Sequence, residues 1–336
     1  MVKIDATREA KRIIEAKHYP NVTGTAIGFK VKGGKKTKQV AVIVYVKEKV
    51  PSVHLCNKNI IPGIVITSMG DVRTDVIQSG EFKALKSMLE PPLIDFGRPV
   101  KPGYSIGHRD ITAGTLGLFA SRNSKKCLVT NAHVGANTND GKIGDSLYCP
   151  GPYDRGTEED TIGHLVATVP IEMLLSTCPF AKFITKTLNK LSKWAGRKSR
   201  WPAPIAEVSN TVDCCTCELI NGLEIDENIP NIGKPMGIVE AILGMKVQKT
   251  GRTTAYTAGE ITGIEATITV SYGEQGTAIF EDQLVSDIGC DGGDSGSAVL
   301  DEQNNLVGLL FAGGSGITIM NRMQTVFDEL GLDKID

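Results

Sequence analysis

A serine set between glycines, Gly293-Asp294-Ser295-Gly296, precedes the apolar stretch Ala298-Val299-Leu300. A backbone that turns tightly at such a place can present its amide hydrogens to a bound carbonyl. A serine hydroxyl is a poor nucleophile until a base removes its proton and donors receive the negative oxygen. Upstream, Leu128-Val129-Thr130-Asn131-Ala132-His133-Val134 carries a histidine at the end of an apolar strand pattern. Between the two, Asn210-Thr211-Val212-Asp213 brings a carboxylate into another apolar run. The order His133, Asp213, Ser295 is one of the chain orders in which base, orienting acid and nucleophile occur.

Each role has a rival. His164 is the other histidine in this part of the chain, but no tight turn surrounds it; His18 and His54 fall near the amino terminus, and His108 precedes the strand-rich region. Asp160 competes with Asp213, although its neighbours Glu158 and Glu159 read as an exposed charged loop. Ser297 points, by strand alternation, in a similar direction to Ser295 but lies inside the next strand. Cys214-Cys215-Thr216-Cys217 invites a metal reading, yet zinc sites usually need two ligand pairs and no second cluster stands beside this one. The three cysteines read as small apolar core positions. The expectation is a serine nucleophile with neither metal nor cofactor.

These segments resemble the active-site stretches of trypsin-like (chymotrypsin-fold) serine proteases, and the wider pattern is similar to a bacterial branch related to the plant Narrow-leaf-type proteases. The closer resemblance is carried by Ser105-Ile106-Gly107-His108 with Thr112-Ala113-Gly114-Thr115, by Lys249-Thr250-Gly251-Arg252-Thr253-Thr254, and by Val307-Gly308-Leu309-Leu310-Phe311-Ala312-Gly313-Gly314. The family-level match covers roughly 112–330, and the closer one also takes in the N-terminal region. The resemblance implies an intracellular serine endopeptidase that hydrolyses a protein or peptide through an acyl-enzyme on Ser295, with His133 as general base and Asp213 as orienting acid. It further implies an oxyanion hole from the amides of Gly293 and Ser295, and a buried ion pair for Asp294 whose partner the sequence does not name. The primary pocket would be walled by Gly289, Cys290 and Asp291 before the serine and by Phe311, Ala312 and Gly313 after it. Gly289 stands where trypsin holds an acid, so a small or apolar side chain is the expected preference; Asp291 would instead draw a basic one. Two alternatives use the same residues: a catalytically silent protease-like scaffold or binding protein, and a protease that cuts its own linker at 81–107.

The elements that must position these groups are mainly strands. From residue 111 onward, short apolar runs at close spacing are broken by glycine and asparagine, and the fold implied is a trypsin-like double β-barrel with a small N-terminal α+β domain. The expected division is an N-terminal unit at 1–80, a Pro-containing linker at 81–110 and a protease domain at 111–336. In the last, a first barrel lies at about 111–230, a second at about 235–320 and a closing helix at 321–331, ended by Gly331. In the N-terminal unit, 6–17 has helical periodicity, and 22–31 and 39–46 flank Gly33-Gly34 as a hairpin whose lysines, Lys35, Lys36 and Lys38, read as a solvated turn. Further strands are expected at 115–120, 126–130, 245–249, 259–264, 267–272 and 277–280. One segment departs from this pattern: a helical insertion at about 172–200, in which Phe180, Phe183, Ile184, Leu188, Leu191 and Trp194 share a face ringed by lysines. That face reads as packing on the barrel or on a second copy of the chain, rather than as membrane contact.

The chain has 336 residues, 41% hydrophobic and 22% charged, with a formal net charge of −1. That is ample material for a buried core and gives no electrostatic case for nucleic acid as a partner. Thirty-seven glycines beside 5% aromatics fit a turn-rich β protein. The first residues lack the apolar core of a secretory signal, and eight cysteines in a chain of this size read as reduced thiols, so the expected location is the cytoplasm. Partners expected are a protein or peptide substrate and further copies of the chain.

Overall fold

The computed structural model describes residues 2–85, 97–111, 113–174 and 208–335, and strands dominate it. Six of them close on themselves. Thr277–Ser286, Ile317–Arg322, Asn305–Gly314, Ala298–Asp301, Lys246–Gly251 and Ala255–Ser271 pair in that order, and the last pairs back to the first. A ring of this kind leaves no free edge among its members. The second sheet body is an eight-stranded antiparallel sheet in the order Lys334–Ile335, Leu118–Arg122, Lys125–Thr130, Cys215–Leu219, Thr161–Thr168, Ser146–Tyr148, Ser105–His108 and Gly114–Thr115. The mainly β architecture of two sheet bodies with a small N-terminal helix and strands is as expected.

The separate strands expected at 259–264 and 267–272 are one strand, Ala255–Ser271. Its buried positions run 261 and 263, then 266, 268 and 270. Burial therefore changes parity once, at Glu265, whose φ is 50° and around which the pairing with Thr277–Ser286 shifts register. An extra residue in one strand produces this exchange of faces without ending the ladder. The charged residue that looked like a break between strands is a bulge.

The N-terminal unit is joined to the barrel by main chain. The helix Val2–Glu15 buries Ala6, Ala10 and Ile14, one per turn, against Val42, Val44, Val46, Val65 and Val72. Ala16 and Lys17, expected in the helix, lie beyond its end, where His18 takes a φ of 46°. Strand Val22–Lys32 pairs on one side with Lys35–Val46 and on the other with Ala255–Ser271, so a single sheet of thirteen strands runs from this unit into the barrel. The hairpin lysines Lys35, Lys36 and Lys38 are exposed, and Lys36 also bridges Asp287 at 3.0 Å and Glu260, both barrel residues.

Parts of the stretch expected as linker are strands. Phe82–Ala84 adds to the barrel sheet with Phe82 fully buried, and Ser105–His108 belongs to the other body. Residues 86–96, with Pro91 and Pro92, and 175–207, with the amphipathic face of the insertion, lie outside the described residues, as does Thr112. The closing helix is Met323–Leu330, ended by Gly331 in the left-handed region. The largest apolar cluster is continuous from Ala26 and Tyr45 through Phe82, Ile106 and Leu128 to Phe280 and Phe311, and so ties the unit and both bodies together. Among the described residues no helix is long and apolar enough to cross a membrane.

Candidate active site

The turn that carries Ser295 is fixed from beneath. Gly293 and Gly296 have φ values of 99° and 93°, a conformation L side chains rarely adopt. Asp294, between them, is fully buried and accepts five hydrogen bonds. Oδ1 takes the amides of Thr253 at 2.8 Å and Thr254 at 3.1 Å. Oδ2 takes the Thr254 hydroxyl at 2.6 Å, the Asp291 amide at 3.0 Å and the Lys249 ammonium at 3.1 Å. Both ends of the Lys249–Asp294 pair are at 0% exposure. Burial pulls the Lys249 amine below its ordinary range, and the carboxylate of Asp294 works against that pull. The partner of Asp294 thus comes from Lys249-Thr250-Gly251-Arg252-Thr253-Thr254, the stretch the family resemblance singled out. Arg252 is itself buried and bonds Asp154 through Nε at 2.8 Å.

His133 and Asp213 meet at one end of the other sheet. Strand Lys125–Thr130 runs into the short helix Ala132–Gly135, and Asp213 lies just ahead of the neighbouring strand Cys215–Leu219. His133 Nδ1 is 2.6 Å from Asp213 Oδ2, and the His133 amide donates to Oδ1 at 3.2 Å. A third donor, the Tyr272 hydroxyl, reaches Oδ2 at 2.8 Å. Burial first, then the Asp213 charge, holds the Tyr272 phenol well above its ordinary range, so it remains a donor. The main chain of Asp213 is fixed as well: Asn131 Nδ2 donates to its carbonyl at 2.7 Å, and its amide donates to Asn321 Oδ1 at 3.2 Å. With carboxylate oxygens accepting on this side, the imidazole carries its proton on Nδ1 and leaves Nε2 as an acceptor. Nε2 is buried and has no hydrogen-bond partner among the described residues.

Ser295 belongs to the same neighbourhood. Its carbonyl accepts the Thr115 amide at 2.7 Å, and the Thr115 carbonyl accepts the hydroxyl of Thr130 at 2.8 Å, at the end of the strand that delivers His133. The Ser295 hydroxyl is fully buried and donates to the Phe311 carbonyl at 3.1 Å rather than to His133.

The remaining expected site residues fall into two groups. Phe311, Ala312 and Gly313 lie in strand Asn305–Gly314, but the Phe311 ring packs on Phe280 at 4.8 Å between centroids, so its backbone, not its ring, faces the serine. Cys290 contacts Thr318, Sγ to Oγ1 at 2.9 Å, and burial pushes its thiol up to about 11. Gly289 and Asp291 are exposed. The Asp291 carboxylate accepts the Gly292 amide at 2.7 Å, turning to its own loop.

The rivals have other duties. Asp160 closes a reciprocal cap with Thr157, His164 is exposed, and the Ser297 hydroxyl is spent on the Asp294 carbonyl at 2.6 Å. Cys214, Cys215 and Cys217 are fully buried in the core, with burial raising Cys214 and Cys217 well above the usual thiol range. No three or more His, Cys, Asp or Glu side chains gather as a metal site would require, among the described residues. Sequence reasoning passed over the duties of Lys249, Tyr272 and Asn321. Lys249 had a signal: Val247, Lys249 and Gly251 share the buried face of one strand, an unusual place for an ammonium.

Residues 8–77 match a family model described as the NARROW LEAF 1 N-terminal domain. No curated protein matches the chain. Among solved structures it is similar to Thermobifida fusca Protease A, with a TM-score of 0.44 at 17% identity, covering 70% of this chain and 97% of that one. It is also similar to Cellulomonas bogoriensis chymotrypsin, with a TM-score of 0.41, 16% identity and coverage of 70% and 97%. Nocardiopsis protease gives a TM-score of 0.43 at 16% identity, covering 70% and 98%.

Proposed function

We propose that the protein is a serine endopeptidase in which Ser295 is the nucleophile, His133 the general base and Asp213 the acid that orients it. The observation that carries this reading is the His133–Asp213 pair: a buried carboxylate engaged on Nδ1 and by two further donors, leaving Nε2 as a free acceptor near a serine in a glycine turn. A carboxylate in that position both fixes the tautomer and stabilises the imidazolium that forms when Nε2 takes a proton.

The reaction then runs as follows. The Ser295 hydroxyl turns from the Phe311 carbonyl to His133 Nε2 and gives up its proton as its oxygen attacks the substrate carbonyl. Negative charge on the carbonyl oxygen is received by the Gly293 and Ser295 amides, each such donor contributing on the order of 100- to 1000-fold in rate. Nε2 returns the proton to the departing amine, and water repeats the cycle on the ester. The test is a fluorophosphonate probe. Wild type should be labelled at Ser295, while Ser295→Ala should not and His133→Ala only slowly; a folded wild type that takes no label overturns the reading.

A further inference from the structure

Ser295 and His133 are 0% and 3% exposed, which is unexpected for groups that must meet a substrate. The cleft beside them is taken by the protein's own chain. Strand Phe82–Ala84 pairs antiparallel with Asn305–Gly314, Ala84 opposite Ala312 and Lys83 opposite Gly313. One residue on, the Leu85 amide donates to the Phe311 carbonyl at 3.3 Å, the same acceptor that holds the Ser295 hydroxyl. The Leu85 carbonyl accepts the Gly293 amide at 3.0 Å, the amide assigned above to the oxyanion hole. The Leu85 side chain packs with Cys290 against the apolar cluster of Ile288 and Leu310, and its Cδ1 lies 3.6 Å from where a side chain on Gly313 would begin.

Leu85 therefore meets the three requirements of an acyl-side substrate residue: strand pairing beside the nucleophile, an apolar side chain in an apolar pocket, and a carbonyl oxygen on a turn amide. We infer that Leu85 marks a self-cleavage site, and that Ser295 cuts the peptide bond joining Leu85 to the next residue of the same chain. This rests on the endopeptidase reading and gives it a substrate class, chains with leucine on the acyl side. In the step, Ser295 Oγ bonds to the Leu85 carbonyl carbon as its proton passes to His133 Nε2. The carbon–nitrogen bond beyond Leu85 then breaks as that proton goes to the departing amine. Water hydrolyses the resulting ester, freeing Ser295 and leaving a carboxylate at Leu85. The product end stays in the cleft, where it competes with other substrates.

The full chain is followed by intact mass after purification, beside Ser295→Ala. Wild type yields a fragment ending at Leu85, at a rate independent of protein concentration, and Ser295→Ala remains whole. Leu85→Asp places a charge in the apolar pocket, so that bond is spared. A tethered segment acts at millimolar effective concentration, so fluorophosphonate labelling of Ser295 in this variant rises about tenfold or more. Circular dichroism checks the fold, and Leu85→Gly replaces the variant if the aspartate unfolds it. Wild type that takes label but stays whole, or is cut only elsewhere, overturns the inference and leaves the endopeptidase reading in place. Absence of label in folded wild type removes both.

Discussion

At the residue scale, the candidate site is built on two buried carboxylates, Asp294 and Asp213. Asp294 holds the serine turn through Lys249, and removing one partner of a buried ion pair leaves an uncompensated charge at a cost of about 3–5 kcal/mol. Lys249→Met should therefore lower the melting temperature and abolish probe labelling together; retention of either at the wild-type level would mean the pair does not set the turn. Asp213 is served by Tyr272, and a hydrogen bond to a charged group contributes about 1.5–3 kcal/mol. Tyr272→Phe should reduce kcat by roughly 10- to 100-fold with KM little changed, measured on a peptide ester with leucine at the acyl position. The pairing of His133 with Asp213 and the glycine turn at Ser295 were legible because each of these residues sits at a recognisable junction of strand and turn. Tyr272 was not, since nothing in a strand-end tyrosine points to a carboxylate in another sheet. Phe311 was legible as a neighbour of the serine but not in the use of its carbonyl, because backbone groups carry no sequence signature.

At the element scale, the seam between the N-terminal unit and the barrel is set by close main-chain approach. A side chain on Gly28 would begin 2.6 Å from the Thr262 carbonyl and 2.7 Å from Ile43 Cγ1. Gly28→Val must push the strands apart, at a cost of about 1–3 kcal/mol or more from overpacking. Arg8 spans the same seam to Glu265 at 2.6 Å, but the pair is partly exposed, and Arg8→Ala should cost less than about 1 kcal/mol. Urea denaturation of the two variants checks the contrast; equal losses would show that surface charge, not strand contact, holds the seam. The seam was hidden in the sequence for a physical reason. Alternation shows which face of a strand is buried, not which strand lies beside it, so 22–31 read as half of a local hairpin. The bulge at Glu265 was hidden for a related reason, since a single charged residue looks the same whether it ends a strand or shifts its register.

At the scale of the whole molecule, burial has raised several acids at once: Cys290 up to about 11, Cys149 up to about 12, and Cys214, Cys217 and Tyr272 well above their ordinary ranges. In the unfolded chain thiols ionise near about 8.5. Between there and about 11 the unfolded state releases protons that the folded state keeps, so stability falls as pH rises. Urea midpoints at pH 7.5 and pH 10 test this, with a lower midpoint expected at the higher pH. The mainly β class was readable from glycine, turn and strand spacing, whereas the extension of one sheet through the N-terminal unit was not, because long-range pairing leaves no local trace. That extension has one more consequence. The strand Val22–Lys32 is paired to Ala255–Ser271 from Gly24 to Gly28, so a molecule nicked behind Leu85 would travel as a single particle in gel filtration and come apart into two polypeptides only in denaturant.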